Sequence, residues 1–414
     1  MRLGDTANDG AAGWGKPLDG VRILAAEQMQ ALPYATQLLA RLGAEVVKVE
    51  HPVHGESGRG SSPAMIDPHG SAVGATYLRN NLDKRSVGLD LKSEEGRALF
   101  LRMVPRFDVI AENFKPGTMY RMGLWYTDIA AVHPGAVYLS ISGFGNTVET
   151  PYRTWPAYAA VVEAMSGIYE YRSGPDHPPV VIPAGALGDI SSGLFGVIGV
   201  LAALRHRERT GEGQYVDIAM LDAMISMTDI VTNFWSMGVR PDKQVPVLCE
   251  GFKAADGYVV LQVVREPQFA KLAELVGRPE WNDDPRFADR SGWLEHLDDV
   301  IRPAVEAWLA PRTKLAAARE LTAAGIVAGP SNSAADVIAD PHVAARHMLV
   351  EVPRVDGVDE PILVPGNPVK LSKVVEGPET RTPWLGEHTR TVLAAELGLA
   401  EAELDALAAD GVIN

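Results

Sequence analysis

The sequence has little cysteine and no excess of basic charge. Its 414 residues include one cysteine, Cys249, which excludes an intrachain disulfide and is typical of a reducing cytoplasm. We expect this lone thiol to be buried and inert. The chain carries 38 Lys and Arg against 53 Asp and Glu, a formal net charge of -15 without a long block of either sign. This balance argues against general binding to nucleic acid or anionic membranes, so an anionic ligand must be held by a local pocket.

The sequence also has no recognisable secretory signal and no apolar run of membrane-spanning length. The start, MRLGDTANDGAAGWGKP, has no basic residues followed by an apolar stretch, and we expect residues 1–16 to form a mobile leader. The longest strongly apolar segment, Gly193 to Leu204, is too short and too rich in glycine to span a bilayer. We therefore expect a soluble, cytoplasmic protein.

Several catalytic motifs are missing. No G-x-G-x-x-G follows the first apolar run, where LAAEQMQALP stands instead, which disfavours a nicotinamide dehydrogenase. The absence of G-x-S-x-G argues against a serine hydrolase of the α/β type. His51, His54 and Glu56 lie in the loop sequence HPVHGE rather than in a helical H-E-x-x-H frame, so we expect no metal site.

What the chain does have is a regular alternation of apolar runs and helical segments. VRILAA, then PYATQLLARLG between Pro33 and Gly43, then AEVVKVE predict a strand, a helix and a strand. DVIAEN and AVYLSIS repeat the strand pattern, and each follows a helical segment; Ser93 is a candidate cap for the helix before DVIAEN. The alternation predicts an α/β fold with a parallel sheet covered by helices. Ligands of such sheets bind beyond the carboxyl ends of the strands, here at EQMQALP, HPVHGESGRG, ENFKPG and SGFGN.

Changes in composition and pattern along the sequence indicate where the domains divide. Residues 17–235 form the first part of a large domain. A smaller α+β domain, inserted at residues 246–330, begins with a β-hairpin that turns at Asp256-Gly257 and continues with helical segments. Residues 331–414 return through strands to a final helix pair that completes the large domain.

One carboxylate stands alone in the stretch VVIPAGALGDISSGLFGVIGVLAALRHRERTGEG. PPVVIP is typical of a strand, and a helix follows that ends at Gly211, which places Asp189 at the helix start. Asp189 could be an N-cap, or a nucleophile that the helix amides keep ionised in an apolar wall; both roles can coexist. Gly185, Gly188 and Gly193 would let a bulky ligand approach the backbone.

GALGDISSG and VLAALRHRERTGEGQYVDIAMLDA resemble the class III CoA-transferases of the CaiB/BaiF type, which include formyl-CoA transferase and carnitine CoA-transferase. The resemblance continues in family order through PLDGVRIL, LLARLGAEVVKVE, DKRSVGLDLKSEEGR, ENFKPGTMYRMGL, SISGFG and PWLGEHTRTVLAAELGL, from residue 17 to residue 414. It implies a Rossmann-like large domain, a small domain and an interlocked homodimer. Coenzyme A would be bound as an acyl-CoA co-substrate, with a free carboxylic acid as the second substrate.

The resemblance also assigns roles to residues. Asp189 matches the family nucleophile, and Gln30 matches a glutamine at the thioester site, flanked by Gln28, Met29 and Ala31. Positions around CoA are matched by Leu89, Asn113, Phe114, Arg121, Met122 and Met220, and His51 stands where some relatives have an arginine. The Arg121 guanidinium could also stack on adenine or pair with phosphate on physical grounds, or be a solvated surface charge.

A sister branch, the 2-methylacyl-CoA racemases, uses a histidine followed by an aspartate where this chain has Tyr158 and Ala159. A tyrosine ordinarily has a pKa near 10 and is a poor general base at pH 7. We therefore predict a CoA-transferase acting through an aspartyl anhydride and an aspartyl-CoA thioester; the alternatives are a racemase and an inactive CoA-binding protein. Nothing between Gly238 and Gly257 offers consecutive glycines, which disfavours a formyl-CoA:oxalate enzyme.

The sequence does not identify the acyl donor or the acceptor acid. Tyr169, Tyr171, Phe234 and Trp235 are either lining residues of an acyl pocket or ordinary core. By analogy with the family, the hairpin of the small domain is expected to influence acceptor choice.

Overall fold

A computed structural model describes residues 1–169, 178, 181, 186–240 and 247–414. The chain divides into two compact units, Met1–Thr232 with Ala344–Asn414 and Asn233–Val343. Most of the expected strand PPVVIP, Gly185 and Tyr171 lie outside the described residues.

The larger unit is built on a six-stranded parallel sheet. The strands in the first part of the chain are β1 Arg22–Ala26, β2 Glu45–Glu50, β3 Ala64–Ile66, β4 Ala72–Gly74, β5 Lys84–Gly88, β6 Val109–Glu112, β7 Val137–Ser142 and β8 Tyr215–Ala219. The order in the sheet is β5-β2-β1-β6-β7-β8, and β3 and β4 form a separate antiparallel pair. The predicted parallel sheet is confirmed.

Eight α-helices accompany these strands among the described residues. They are α1 Ala31–Arg41, α2 Ala75–Asn80, α3 Glu94–Met103, α4 Thr118–Met122, α5 Tyr126–Val132, α6 Ala159–Met165, α7 Leu187–Thr210 and α8 Met220–Ser226. The ends of α1 and α7 and the start of α3 carry the local signals that the sequence predicted. Gly43, just beyond α1, has φ 112°, Gly211 after α7 has φ 78°, and the Ser93 side chain caps α3 by accepting the Gly96 N–H.

The smaller unit contains a three-stranded antiparallel sheet with its own core. Its strands are β9 Leu248–Ala254, β10 Gly257–Val263 and β11 Val327–Pro330, and its helices are α9 Glu266–Leu275, α10 Arg290–Glu295, α11 Arg302–Leu309, α12 Lys314–Ala323 and α13 Ala334–Ile338. Ala254 pairs with Gly257, which confirms the hairpin predicted at Asp256-Gly257. In the core, the Phe269 and Trp293 rings stack with centroids 4.4 Å apart. Cys249 is exposed, so the expectation of a buried thiol is wrong.

The end of the chain forms α14 Pro341–Ala345, β12 Leu349–Val352, β13 Ile362–Pro365, α15 Thr389–Leu397 and α16 Glu401–Ala409. The antiparallel β12–β13 pair and the final helix pair confirm the elements predicted there. The N-terminal segment pairs with this part of the chain, since Leu3 donates to the Glu351 carbonyl and Ala7 bridges to Glu376. The mobility expected for residues 1–16 stays a prediction.

Apolar residues alternate between the two faces of the sheet, as the period of a strand requires. Ile23 packs in a core cluster with α1 and α7, whereas its neighbour Leu24 packs in the opposite cluster with α3 and the final helices α15 and α16. The sheet is therefore covered on both sides.

The apolar segment around Gly193 belongs to α7, which has 24 residues and is long and apolar enough, by length and composition alone, to cross a membrane. The expectation that this segment is too short is therefore wrong. The helix packs on α1, β7 and β8, as the core helix of an α/β domain does.

The order of the strands determines where a ligand would bind. β1 lies between β2 and β6, so the chain leaves β1 towards one edge of the sheet and later returns to its other side. Such a reversal opens a crevice beyond the carboxyl ends of the two strands. Here the crevice lies between the segment after Ala26 and the segment after Glu112.

Candidate active site

The two loops at the strand reversal are tied together by one side chain. The backbone N–H of Gln28 donates to Oδ1 of Asn113, and Nδ2 of Asn113 donates to the Gln28 carbonyl, both at 2.9 Å. An amide that both donates and accepts fixes its partner loop more firmly than a single bond would. The loop that leads into α1 therefore has a defined position relative to β6.

The same loop is held from its other side by a buried carboxylate. Met29 has the left-handed φ of 60°, and its N–H donates to Oε2 of Glu56 at 2.8 Å. Glu56 also accepts the Gly58 N–H at 2.6 Å and faces the Lys48 ammonium at 3.5 Å. This arrangement maintains a backbone conformation that a methionine rarely adopts.

The charges below this loop are buried and paired. Lys84 Nζ lies 2.6 Å from Oε1 of Glu27, and Lys48 Nζ lies 3.6 Å from the same oxygen. Burial opposes ionisation of Glu27, but the two ammonium groups hold its pKa below the usual value. Burial lowers the pKa of Lys84 to about 8, against the attraction of Glu27. Removing one partner would leave an uncompensated charge under the loop.

A cavity of about 500 Å³ opens at the strand reversal. Five of the predicted CoA-contacting residues line it, namely Gln28, His51, Leu89, Phe114 and Met122. The sequence interpretation missed Asp90, Leu91 and Lys92, which also line the cavity. They follow the carboxyl end of β5, so the strand-end rule could have found them. Lys92 adds a cation that suits a phosphate-bearing ligand.

His51 is organised by its neighbours. Its Nδ1 accepts the backbone N–H groups of Val53 at 3.1 Å and His54 at 3.3 Å, and its ring stacks on the His54 ring at 4.9 Å. With Nδ1 engaged as an acceptor, Nε2 is the ring nitrogen that can donate to a ligand.

The remaining predicted contacts lie elsewhere. Arg121 is exposed on α4 and donates to the Thr118 hydroxyl at 3.1 Å, outside the cavity lining. Ala31, the first residue of α1, and Met220, the first residue of α8, are buried in the core at 4% and 5% exposure. Their contacts with CoA stay predictions.

Asp189 lies in the first turn of α7 without capping it. The N-cap position belongs to Ala186, which has φ 36° and makes no side-chain capping bond, and Asp189 is the third residue of the helix. The interpretation of Asp189 as an N-cap is therefore wrong. Its place in the first turn still exposes it to the positive end of the helix dipole.

The start of α7 lies against the start of α1. A Cβ at Gly193 would stand 2.8 Å from the Ala31 carbonyl oxygen and 3.0 Å from the Tyr34 ring, so only glycine fits. Asp189 precedes Gly193 by four residues and shares its face of the helix. Gln30 immediately precedes α1, so the crossing of the two helices brings the two predicted catalytic residues to the same region. Within the described part of the chain, the buried Nε2 of Gln30 has no hydrogen-bond partner.

The electrostatics of Asp189 differ from the expectation. Burial, and then the charge of Glu163, raise the pKa of Asp189 to about 6. The sequence interpretation, that helix amides favour the ionised form, predicted the opposite direction. It also missed Glu163, a single acidic residue inside the apolar run AAVVEAM of α6.

The candidate pocket aromatics that the structure describes belong to two different units of the chain. Tyr169 is buried, and its hydroxyl donates to Oε2 of Glu163. Trp235 is 50% exposed and Phe234 is partly buried, both in the smaller unit. Tyr158, at the racemase histidine position, is 70% exposed, and Ala159 after it is buried.

A doubly covered parallel sheet, with a cavity at the strand reversal and a carboxylate at a nearby helix start, defines a Rossmann-like α/β enzyme class. The chain belongs to CoA-transferase family III, whose model matches residues 18–389. It is an enzyme that transfers CoA, and the family resemblance seen in the sequence is confirmed.

Characterised relatives match nearly the whole chain. Succinyl-CoA:mesaconate CoA-transferase of Haloarcula hispanica is 36% identical over 393 residues, covering 92% of this chain and 96% of that protein. Formyl-CoA:oxalate CoA-transferase of Streptomyces coelicolor is 35% identical, covering 96% and 99%. The crystal structure of a CaiB/BaiF family protein from Brucella suis superposes with a TM-score of 0.78 at 35% identity, covering 92% of this chain and 100% of that one.

Proposed function

We propose that the protein moves CoA from an acyl-CoA thioester to a free carboxylic acid through covalent intermediates on Asp189. One observation carries the proposal. A half-buried carboxylate in the first turn of α7 shares a helix crossing with Gln30, whose buried amide nitrogen has no partner among the described residues. A carboxylate nucleophile and an unused donor at one helix crossing are an arrangement that suits acyl transfer.

The reaction consists of two reversible half-reactions, one with the acyl donor and one with the acceptor acid. The Asp189 carboxylate attacks the thioester carbonyl, and CoA thiolate leaves a mixed anhydride. The thiolate then attacks the aspartyl carbonyl, which releases the donor acid and forms an aspartyl-CoA thioester. The acceptor carboxylate attacks that thioester and displaces CoA thiolate, which attacks the acceptor acyl carbon to give the new acyl-CoA and free Asp189.

Gln30 would supply the electrostatic part of the reaction. Each attack places negative charge on a carbonyl oxygen, and a preorganised amide donor stabilises that charge better than it stabilises the neutral carbonyl. The N–H groups of the first turn of α7 add the positive end of the helix dipole.

The cavity at the strand reversal is the proposed site of the CoA moiety. Leu89, Phe114 and Met122 offer an apolar wall, and Lys92 and His51 offer donors for a phosphate group. Arg121 lies on the helix that ends at Met122, and its proposed role is a contact with the nucleotide.

Small dicarboxylic acids are the first substrates to test. The relatives are named for succinyl-CoA, mesaconate, L-malate, formyl-CoA and oxalate. The lack of consecutive glycines between Gly238 and Gly257 leads us to place formyl-CoA with oxalate last. The proposed part of the hairpin at Asp256-Gly257 in acceptor choice would appear as altered preference in its variants.

The proposed assembly is an interlocked homodimer in the cytoplasm. Apolar side chains on α7 that recur at helical spacing are exposed in the single chain, namely Leu187, Leu194, Ile198 and Leu201, at 37% to 60%. A second copy of the chain would cover them. We also propose that the smaller domain is an insertion between the two parts of the larger domain.

The deciding experiment is CoA exchange between a panel of acyl-CoA thioesters and free acids, with α-proton exchange in deuterated water followed in the same tubes. We expect thioester exchange without deuterium uptake. Deuterium uptake without exchange would instead establish a racemase and make Tyr158 the residue to explain, and neither activity would favour an inactive CoA-binding protein.

A second experiment tests the covalent intermediate. Protein incubated with succinyl-CoA is treated with borohydride or hydroxylamine, and the modified residue is located by mass spectrometry. We expect modification of Asp189. Turnover that proceeds while Asp189 stays unmodified would refute the mechanism.

A further inference from the structure

One buried carboxylate outside the proposed chemistry contacts the segment that carries the nucleophile. Glu163 on α6 is 4% exposed. Its Oε1 accepts the backbone N–H of Gly188 at 3.0 Å, and its Oε2 accepts the hydroxyl of Tyr169. Gly188 directly precedes Asp189, so Glu163 holds the backbone from which the nucleophile projects.

The contact between α6 and the first turn of α7 leaves no space for adjustment. A Cβ at Gly188 would lie 2.7 Å from Cγ2 of Val162 and 3.0 Å from Cα of Ala159. Close packing of this kind transmits a displacement of one element to the other. The position of Glu163 and the position of Asp189 are therefore coupled.

The charge of Glu163 acts on the same carboxylate. In the described part of the chain, the elements packed against α7 carry titratable groups that include Tyr34 on α1, Asp217 on β8 and Asp222 on α8. Beside burial, however, Glu163 is the group that raises the pKa of Asp189 to about 6. A like charge opposes ionisation of a carboxyl and makes its ionised form more basic.

We propose that Glu163 is a positioning residue of the transfer reaction, which fixes Asp189 through the Gly188 amide and makes its carboxylate a stronger nucleophile by charge repulsion. The inference rests on the proposed role of Asp189. It assigns a second carboxylate to the site: Glu163 forms no covalent bond, but it sets the reactivity of the carboxylate that does. As a consequence, the Asp189 carboxyl is protonated in a fraction of the molecules below neutral pH, and those molecules cannot attack the thioester.

The test is the pH dependence of kcat for CoA exchange in wild type, Glu163→Gln and Tyr169→Phe. Attack requires ionised Asp189, so the wild-type rate should fall as the pH drops through about 6. We call this fall in rate the acid limb of the pH profile. In Glu163→Gln the acid limb should move to lower pH by up to about one unit, because the charge of Glu163 is lost while burial still raises the pKa of Asp189. The substitution should also lower the plateau, because a less basic carboxylate is a weaker nucleophile.

Tyr169→Phe is the matched control, because it removes the other hydrogen bond of Glu163 and leaves the charge. We expect its acid limb to stay with the wild type. An unchanged acid limb in a folded Glu163→Gln protein, with the rate lowered equally at every pH, would reduce Glu163 to a structural residue and overturn the proposal.

Glu163→Asp covers the case in which Glu163→Gln does not fold. This variant keeps the charge but shortens the reach to Gly188, so the plateau should fall while the acid limb stays. An acid limb displaced downwards in Glu163→Asp would also overturn the proposal. A failure of the proposed function can be told apart from a failure of this inference. Full exchange activity in Asp189→Asn would refute the role of Asp189 as the nucleophile, whatever the Glu163 variants show.

Discussion

At the scale of the residue, the proposed function divides the work of acyl transfer between Asp189 as the nucleophile and Gln30 as the donor. The two side chains come from parts of the sequence that are far apart, and the crossing of α1 and α7 brings their segments together. Because the two functions are distinct, their loss should change different kinetic quantities.

Asp189→Asn should abolish CoA exchange, because an amide does not form the anhydride. Exchange of a succinyl-CoA and mesaconate mixture measures the loss, and mass spectrometry should find no adduct at position 189. Asp222→Asn, an exposed aspartate on the neighbouring helix α8, is the matched control and should retain wild-type activity. Equal activity of the two variants would contradict the assignment.

Gln30→Leu should lower kcat by about 10²–10³, the usual effect of removing one oxyanion donor, with a smaller change in KM for acyl-CoA. Gln28→Leu is the comparison, since Gln28 lines the cavity and should change KM more than kcat. Steady-state kinetics with saturating acceptor separates the two constants. A Gln30→Leu effect confined to KM would show that Gln30 binds the substrate rather than the transition state.

At the scale of the element, the glycines of α7 determine how closely it approaches its neighbours. Gly193 stands against backbone of α1, whereas Gly196 faces the flexible ends of Ile141 and Leu139, with the nearest atom at 3.2 Å. A methyl group is expected to displace the helix in the first case and side chains in the second.

Gly193→Ala should therefore reduce kcat more than tenfold and cost about 1–3 kcal/mol of stability, because the added methyl overpacks a backbone contact. Gly196→Ala should be much milder, since alanine also favours the helix by about 1 kcal/mol. Urea unfolding and exchange kinetics on both variants measure the difference. Equal effects would show that the α1–α7 contact does not control the site.

The carboxyl end of β6 is tied to the middle of β7 by another buried carboxylate, Glu112. Glu112 accepts the hydroxyl of Ser140 and the N–H of Phe114 at 2.9 Å, and burial raises its pKa to about 7. A folded-state pKa above the unfolded value means that the contribution of Glu112 to stability is complete below about pH 4.5 and is lost as the pH rises through 7.

Relative to Glu112→Gln, the wild type should therefore lose roughly 3 kcal/mol of unfolding free energy between about pH 4.5 and pH 8, since each pKa unit corresponds to about 1.4 kcal/mol. Urea unfolding of both proteins across this range measures it. Glu212→Gln, an exposed residue, is the control and should follow the wild type. A constant difference between wild type and Glu112→Gln would show that Glu112 does not titrate in this range.

At the scale of the whole molecule, the exposed apolar side chains of α7 are an unusual surface for a single chain. Ile198 is 60% exposed although it lies in the middle of a 24-residue helix. In the proposed dimer this side chain would be covered by the second copy.

Ile198→Arg should weaken or abolish the dimer, because a charge would be buried at the subunit contact. Light scattering coupled to size-exclusion chromatography over a dilution series measures the assembly. His206→Arg, an exposed position nearer the end of the same helix, should leave it intact. A monomeric wild type at every concentration would contradict the proposed assembly.

The sequence by itself determined the local elements and the family. Short apolar runs predicted β1, β2, β6 and β7, and apolar residues at helical spacing predicted α1. Local caps such as Ser93 and Gly43 marked helix ends, because each of these signals depends on neighbours within a few residues. Asp189 could be singled out as a candidate for the same reason, as an acid beside glycines at the start of a helix.

Only the tertiary structure decided the surroundings of Asp189. Glu163 reaches Gly188 across 25 residues, and Asn113 reaches Gln28 across 85, separations at which periodicity carries no information. The direction of the Asp189 pKa shift depends on burial and a neighbouring charge, which outweigh the helix amides that the sequence suggested. Strand pattern is a local property, whereas the reactivity of a carboxylate is set by whatever the whole fold packs around it.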